Sequence, residues 1–229
     1  LSLIRMFAEL LMLGKVKTPE KGREYAGIIT RESERLSRLI DNVLDFSRME
    51  RGKAAYEMKP GDLGEVVERA LDFFRYRLER EGRQLEVDIV APIPRTLLDE
   101  NAMTLLLLNL VDNAVKYGGS GPISVKLRVS PSGKDILLSV TDQGLGIAPD
   151  EQRKVFERFY RTRAVRNTNI RGSGIGLALV KHIAEAHGGY LTVDSVNGKG
   201  STFTLTLPVC AIKEEAEGGD DSAAGKEVG

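Results

Sequence analysis

The 229-residue chain carries one cysteine, Cys210, no tryptophan and two histidines, His182 and His187. A single thiol excludes an internal disulfide framework and fits a reducing compartment. Net charge is also missing: 33 basic side chains balance 33 acidic ones. The bulk balance therefore gives no argument for nucleic acid or an anionic membrane as partner, and no nucleic-acid role is expected. No apolar run approaches the roughly 18 residues that span a bilayer, and no signal peptide is visible. The rest is ordinary for a soluble globular protein, with 41% hydrophobic and 29% charged residues. The length suits one large domain or two small ones with a buried core. The chain opens on Leu-Ser-Leu-Ile inside an apolar helical pattern, without an initiator Met, and so reads as part of a longer polypeptide.

Leu3, Ile4, Phe7, Leu10 and Leu11 recur at helical spacing over residues 1–13. Gly14 and the Lys-Thr-Pro-Glu stretch at 17–20 end that helix and let another begin. In the second pattern, over 19–52, Ile29, Leu36 and Val43 are seven apart, as are Leu39 and Phe46. A seven-residue apolar repeat asks for a coiled-coil-like partner. Two such helices form an antiparallel hairpin with one apolar stripe uncovered, and a second copy completes a dimeric four-helix bundle.

Residues 53–61 lose the period and read as a linker. Asp62 and Glu65 resemble an N-cap and capping box that opens a helix over 62–81. Strands are expected over 85–89, 123–129 and 136–140, with a closing hairpin formed by 190–193 and 202–207. Helices are expected over 99–117, 150–159 and 175–187. Residues 62–209 thus make a mixed sheet with helices on one face, and 210–229, acidic and rich in Gly and Ala, a disordered tail.

Three features in this second part point to a nucleotide. In Asn109-Leu-Val-Asp-Asn113-Ala-Val-Lys116-Tyr117 the polar side chains fall three or four apart, on one side of a helix. Amide oxygens suit Mg²⁺ and lysine suits phosphate, although surface amides at a helix end are an equally good reading of this stretch alone. Asp142-Gln-Gly144-Leu-Gly146-Ile147 follows a strand. Its glycines admit close backbone approach to a flat ligand, and its carboxylate can accept from an exocyclic amine; alone, it reads better as a plain turn. Gly172-Ser173-Gly174-Ile-Gly176-Leu177 leads into a helix whose N-terminus suits phosphate. It is neither the dinucleotide fingerprint nor a P-loop, because its spacing is G-x-G-x-G and no Gly-Lys-Ser/Thr follows.

Taken in order, these motifs, with Phe-Glu-Arg-Phe-Tyr ending at Tyr160, resemble the N, G1, F and G2 boxes of sensor histidine kinases. Gly200-Ser-Thr-Phe203 resembles the end of the same domain, and the stretch 35–50 resembles the second helix of that family's dimerisation and phosphotransfer hairpin. The resemblance runs from Leu1 to about Pro208. It implies an α+β protein: an N-terminal two-helix hairpin over 1–52, then an α/β sandwich of the gyrase and histidine kinase ATPase type.

By this resemblance ATP and Mg²⁺ are bound, with Asn113 the principal metal ligand and Asn109 close by. Lys116 would contact phosphate, Tyr117 would pack near the nucleotide and Asp142 would recognise the adenine amine. Gly144, Gly146 and Ile147 would shape the base pocket. Residues 161–171 would form a mobile lid anchored by Phe156 and Phe159. Arg171, Gly172, Ser173, Gly174, Gly176 and Leu177 would close it on the phosphates. Gyrase-type ATPases carry a glutamate base where this chain has Asn109, which favours transfer to a histidine over hydrolysis. The acceptor histidine of that family would precede Leu1, and His182 and His187 are expected to be structural. A non-catalytic, ATP-responsive binding module is a third reading, and the intact motifs argue only against a decayed site. The implied partners are a second copy, through the hairpin, and a response regulator whose choice involves positions such as Arg5 and Glu9. The parent is expected to be membrane-bound, with this part in the cytoplasm.

Overall fold

The computed structural model describes residues 2–16, 18–30, 32–33, 56–80, 82–166, 168, 170 and 172–210. The heptad positions Leu36, Leu39, Val43 and Phe46, the stretch 35–50, residues 53–55 and the expected tail from 211 onward lie outside them.

Helix α1 spans Ser2–Met12 and buries none of its residues completely. Leu3, Ile4, Phe7, Leu10 and Leu11 are half-buried along one stripe. Gly14 closes the helix at a φ of 63°, a left-handed conformation that glycine adopts without a Cβ penalty. Residues 19–30 and 32–33 are helical and form α2. The Thr18 hydroxyl accepts from the Lys21 N–H at its start. Phe7 and Tyr25 pack with ring centroids 4.8 Å apart, which joins the two helices.

The remaining elements are β1 (Lys59–Gly61), α3 (Leu63–Arg80), β2 (Leu85–Ile89), β3 (Thr96–Leu98), α4 (Glu100–Tyr117), β4 (Ile123–Val129) and β5 (Asp135–Asp142). After them come a 3₁₀ turn (Lys154–Phe156), α5 (Arg163–Arg166), α6 (Gly176–Ala186), β6 (Tyr190–Val196) and β7 (Gly200–Pro208). Five strands form a mixed sheet in the order β2-β4-β5-β7-β6, with β2 and β4 parallel and the other pairs antiparallel. Register places Val87, Val125, Val140, Phe203 and Val193 side by side, and Ile89, Leu127, Leu138, Leu205 and Leu191 in the next row. Because side chains alternate along a strand, both rows lie on one face. That face meets Leu71, Leu106, Leu107, Leu110, Leu179 and Ile183 of α3, α4 and α6 in a single core. Each fully buried Leu or Ile contributes about 1.5–3 kcal/mol.

Two segments depart from expectation. Part of the linker is structured: β1 pairs with β3, Tyr56 packs on the core, and the Glu57 N–H donates to Asp99 Oδ2 at 3.0 Å. A three-residue strand containing Pro60 and Gly61 is too short to show a period. The helix expected over 150–159 is reduced to the 3₁₀ turn, because Glu151 turns inward and Phe159 takes a φ of 60°.

Asp99 joins three parts of this body. Its Oδ1 accepts from Ala102 N–H and caps α4, its Oδ2 takes Glu57, and its own N–H donates to His187 Nε2 at 3.0 Å. His187 Nδ1 lies 2.8 Å from the Ile183 carbonyl, so a neutral ring protonated at Nδ1 satisfies both contacts. Burial holds this imidazole below its ordinary value of 6.5, against opposing pulls from the Ile183 carbonyl and Asp99. A depressed pKa means that the stability from neutral His187 is complete above about pH 6.5 and is lost as pH falls through the folded value. Urea unfolding at pH 7.5 and 5.5 is expected to show lower stability at the acid pH, and His187→Gln to shrink that difference.

Candidate functional site

Helix α4 turns Ala102, Met103, Leu106, Leu107, Leu110, Val111 and Ala114 into the core. Its other flank carries Asn109, Asn113, Lys116 and Tyr117. Asn109 Nδ2 donates to the Leu105 carbonyl at 2.8 Å. Asn113 is half-buried, and its amide makes no side-chain hydrogen bond among the described residues. Lys116 Nζ pairs with Asp112 one turn earlier, and Arg77 of α3 lies 3.8 Å from the same carboxylate. Arg83, just before β2, donates to the carbonyls of Val115 at 2.9 Å and Gly121 at 3.1 Å. A cation at a helix C-terminus offsets the unsatisfied carbonyls there.

The end of β5 closes against this helix end. Leu145 N–H donates to the Tyr117 carbonyl at 3.1 Å. A Cβ on Gly144 would lie 1.8 Å from that carbonyl oxygen, and one on Gly146 would lie 2.0 Å from the Val196 carbonyl. Both glycines are required by the closeness of backbone to backbone. Asp142 is 7% exposed, and its Oδ1 accepts from Gly144 N–H at 2.9 Å. Burial raises its pKa, while the Gly144 and Ser201 amides and Arg83 pull the other way. Ile147 is buried, and its N–H donates to Ser195 Oγ at 2.8 Å.

The third motif meets both of these. A Cβ on Gly176 would sit 2.9 Å from Asn109 Oδ1, and one on Gly172 would sit 2.9 Å from the Tyr117 hydroxyl. Helix α6 starts at Gly176, and its N-cap residue, Ile175, supplies no side-chain cap. Its first N–H groups therefore retain capacity for an anion. Ser173 Oγ accepts from the Ile175 N–H at 3.4 Å, and Leu177 packs partly buried on the core. Arg171 lies outside the described residues.

The expected anchoring of the lid needs one correction. Phe156 packs edge-on against Phe203 at 6.3 Å, but the Phe159 side chain is 68% exposed. The contribution of Phe159 comes from its backbone, whose N–H donates to the Gly174 carbonyl at 2.9 Å. Between these points lies a cleft of about 490 Å³ lined by Lys116, Tyr117, Gly144, Leu145 and Ile170 among others. Asn109 and Asn113 are not among its lining residues, and Asp142 lies beside it, next to Gly118 and Gly144.

Residues 98–211 match the family described as histidine kinase-, DNA gyrase B- and HSP90-like ATPase, and residues 1–52 match the His Kinase A (phospho-acceptor) domain. The solved mycobacterial sensor histidine kinase MprB is 35% identical, with 66% of this chain and 97% of that chain covered and a TM-score of 0.55. The chain belongs to the sensor histidine kinase family. Sensor-like histidine kinase SenX3 of Mycolicibacterium smegmatis is 34% identical over 198 residues, which are 86% of this chain and 51% of that protein. The chain thus spans about half the length of this curated relative. Full-length ShkA, solved in complex with AMPPNP, is 26% identical, covers 93% of this chain and 44% of its own, and gives a TM-score of 0.69.

Several residues at the site carry no sequence motif of their own. Arg83, Glu151 and Arg161 act through contacts 9 to 38 residues away in the chain, which no local pattern discloses. Gly144→Ala is expected to destabilise the body by about 1–3 kcal/mol through overpacking, read by thermal melting. Gly22→Ala, in α2 with an ordinary helical backbone and nothing nearer than 3.8 Å to the added Cβ, should cost nothing.

Proposed function

We propose that this chain binds Mg·ATP and delivers the γ-phosphate to a histidine, from which it passes to a response-regulator aspartate. The nucleotide lies along the cleft between the end of α4, the turn after β5 and Ile170, with its phosphates reaching beyond it to the start of α6. The AMPPNP bound to ShkA supports that reading. Asp142, left ionised, accepts from the adenine amine, and guanine, with a carbonyl at that point, is repelled. Gly144 and Gly146 leave room for the base, with Ile147 beneath. Tyr117 packs beside the nucleotide, and the free N–H groups at Gly176 and Leu177 receive phosphate together with Lys116 and the Gly172–Gly174 backbone.

Mg²⁺ fits this donor set: the half-buried Asn113 amide, which has no side-chain hydrogen bond among the described residues, would hold it through its oxygen. Asn109 faces the same end of α6. When bound, the ion neutralises charge that builds on the phosphates during transfer. The observation that carries the kinase reading is Asn109 itself. Its amide is held between Leu105 and Gly176 and has no basicity with which to activate water. The γ-phosphate therefore awaits an imidazole.

Residues 1–52 contain no histidine. His187 has both ring nitrogens engaged, and His182 packs near Tyr56. The apolar stripe of α1, still half-buried at Leu3, Ile4, Phe7, Leu10 and Leu11, is the surface we assign to a second copy. The response regulator docks on the hairpin, with Arg5 and Glu9, ion-paired at 2.8 Å, among the contacts. We place this part of the parent in the cytoplasm, beside a membrane anchor outside this chain.

Calorimetry with Mg·AMPPNP is expected to show one site per chain. Asp142→Asn should weaken it about tenfold and erode the preference over the guanine analogue. Asn113→Ala should weaken it only when Mg²⁺ is present. Because the Asp142 pKa is raised, lowering the pH should begin to weaken binding while still above the ordinary carboxylate range. Steady-state hydrolysis should be negligible, and no acid-labile phosphate should form on His182 or His187. Rapid hydrolysis would replace this reading with that of an ATPase.

A further inference from the structure

Glu151 is 4% exposed, and its carboxylate serves the lid rather than the core. Oε1 accepts from the Tyr160 hydroxyl at 2.8 Å and from the Arg163 N–H at 3.0 Å, with the Arg163 guanidinium at 3.6 Å. Burial pushes its pKa up, but these three partners outweigh it and hold the carboxyl below its ordinary value. Asp150, also paired to Arg163 at 2.6 Å, is the nearby group of like charge.

Between Tyr160 and Arg163 in the chain comes Arg161, which does not itself line the cleft. Its guanidinium donates to the Ile170 carbonyl at 2.6 Å, so it joins the first and last parts of the lid. Ile170 lines the cleft, and the Arg161 charge is felt by the Tyr117 phenol. Arg161 Nε is buried with no hydrogen-bond partner among the described residues. Arg166 completes the arrangement, donating to the Arg161 carbonyl at 2.9 Å and lying over the Tyr160 ring.

We propose that Glu151 is a positioning residue: by gripping Tyr160 and Arg163 on either side, it fixes the backbone from which Arg161 presents its guanidinium to the nucleotide phosphates. This rests on the nucleotide reading above. A planar fork held this way retains little freedom, so the cation does not have to be ordered when phosphate arrives. Glu151 itself touches no ligand. Its effect is confined to the phosphate-dependent part of the affinity, and the base and ribose are indifferent to it.

The test is binding of Mg·AMPPNP and of adenosine, by competition with a fluorescent nucleotide, to the wild-type chain and to Glu151→Gln, Glu151→Ala, Tyr160→Phe, Arg161→Ala and the Glu151→Ala/Arg161→Ala pair. Glu151→Ala should weaken Mg·AMPPNP about tenfold and leave adenosine within about twofold. Glu151→Gln, which keeps an acceptor for Tyr160 and Arg163, should lose about threefold. The double variant should bind no more weakly than Arg161→Ala alone, because both changes remove the same interaction. Equal loss of AMPPNP and adenosine affinity in Glu151→Gln and Tyr160→Phe, or additive losses in the double variant, would overturn the assignment. Should Glu151→Ala melt below the assay temperature, Glu151→Gln and Tyr160→Phe decide the matter. A wild-type chain that binds no nucleotide overturns the functional reading and this proposal with it, whereas wild-type binding with unaffected variants overturns this proposal alone.

Discussion

The last turn of α4 and the turn after β5 touch backbone to backbone, and the cleft depends on that contact. At Gly144 there is no room for a single carbon beside the Tyr117 carbonyl oxygen. That oxygen is also the acceptor for Leu145 N–H, so the closeness is satisfied chemically as well as sterically. Around it, Gly118 is wedged between the Ala114 carbonyl and Asp142, and Gly200 lies against the Asp142 carbonyl. Loosening any one of these would separate the carboxylate at the end of the sheet from the amides and lysine on the helix. Arg83 holds the same junction from behind, through carbonyls on both sides of the helix end.

Charge in the site is arranged with similar economy. The buried Asp142 carboxylate has its pKa raised by desolvation, and only two amides and the guanidinium of Arg83 moderate this. A buried carboxylate that stays ionised accepts strongly from a donor and rejects an acceptor. Lys116 is paired with Asp112, and the helix that follows the glycine motif begins without a side-chain cap. Asn109, where a carboxylate would make a base, is an amide fastened to its own helix. Neutral amides, Lys116 with its Asp112 partner and an uncapped helix start thus lie on the helices, while the buried Asp142 carboxylate ends β5.

Much of this was legible from the chain. Alternation at Ile123, Val125 and Leu127, and the polar flank of Asn109, Asn113 and Lys116, are local patterns with fixed periods, and the elements formed where those periods ran. Glycine motifs placed the close approaches. What was illegible has no period or depends on distant partners. β1 is three residues long and contains proline, Phe159 turned outward because its backbone went left-handed, and Glu151 looks like any surface acid until Tyr160 and Arg163 fold back over it. Arg83 is likewise an unremarked arginine in a turn until the helix end arrives 30 or so residues later.

The docking of Tyr56 and Glu57 onto Asp99 and His187 bears on how this body can be joined to other modules. The chain segment entering from the hairpin is already committed to the far end of α6 before the first long helix begins. Helix α6 has 11 residues, about 16 Å from end to end at 1.5 Å each, with the glycine motif at one tip and the entering chain held at the other. The natural seam between the two parts therefore lies ahead of Tyr56, and a splice at the apparent boundary near Asp62 would leave the tip of α6 without its partner.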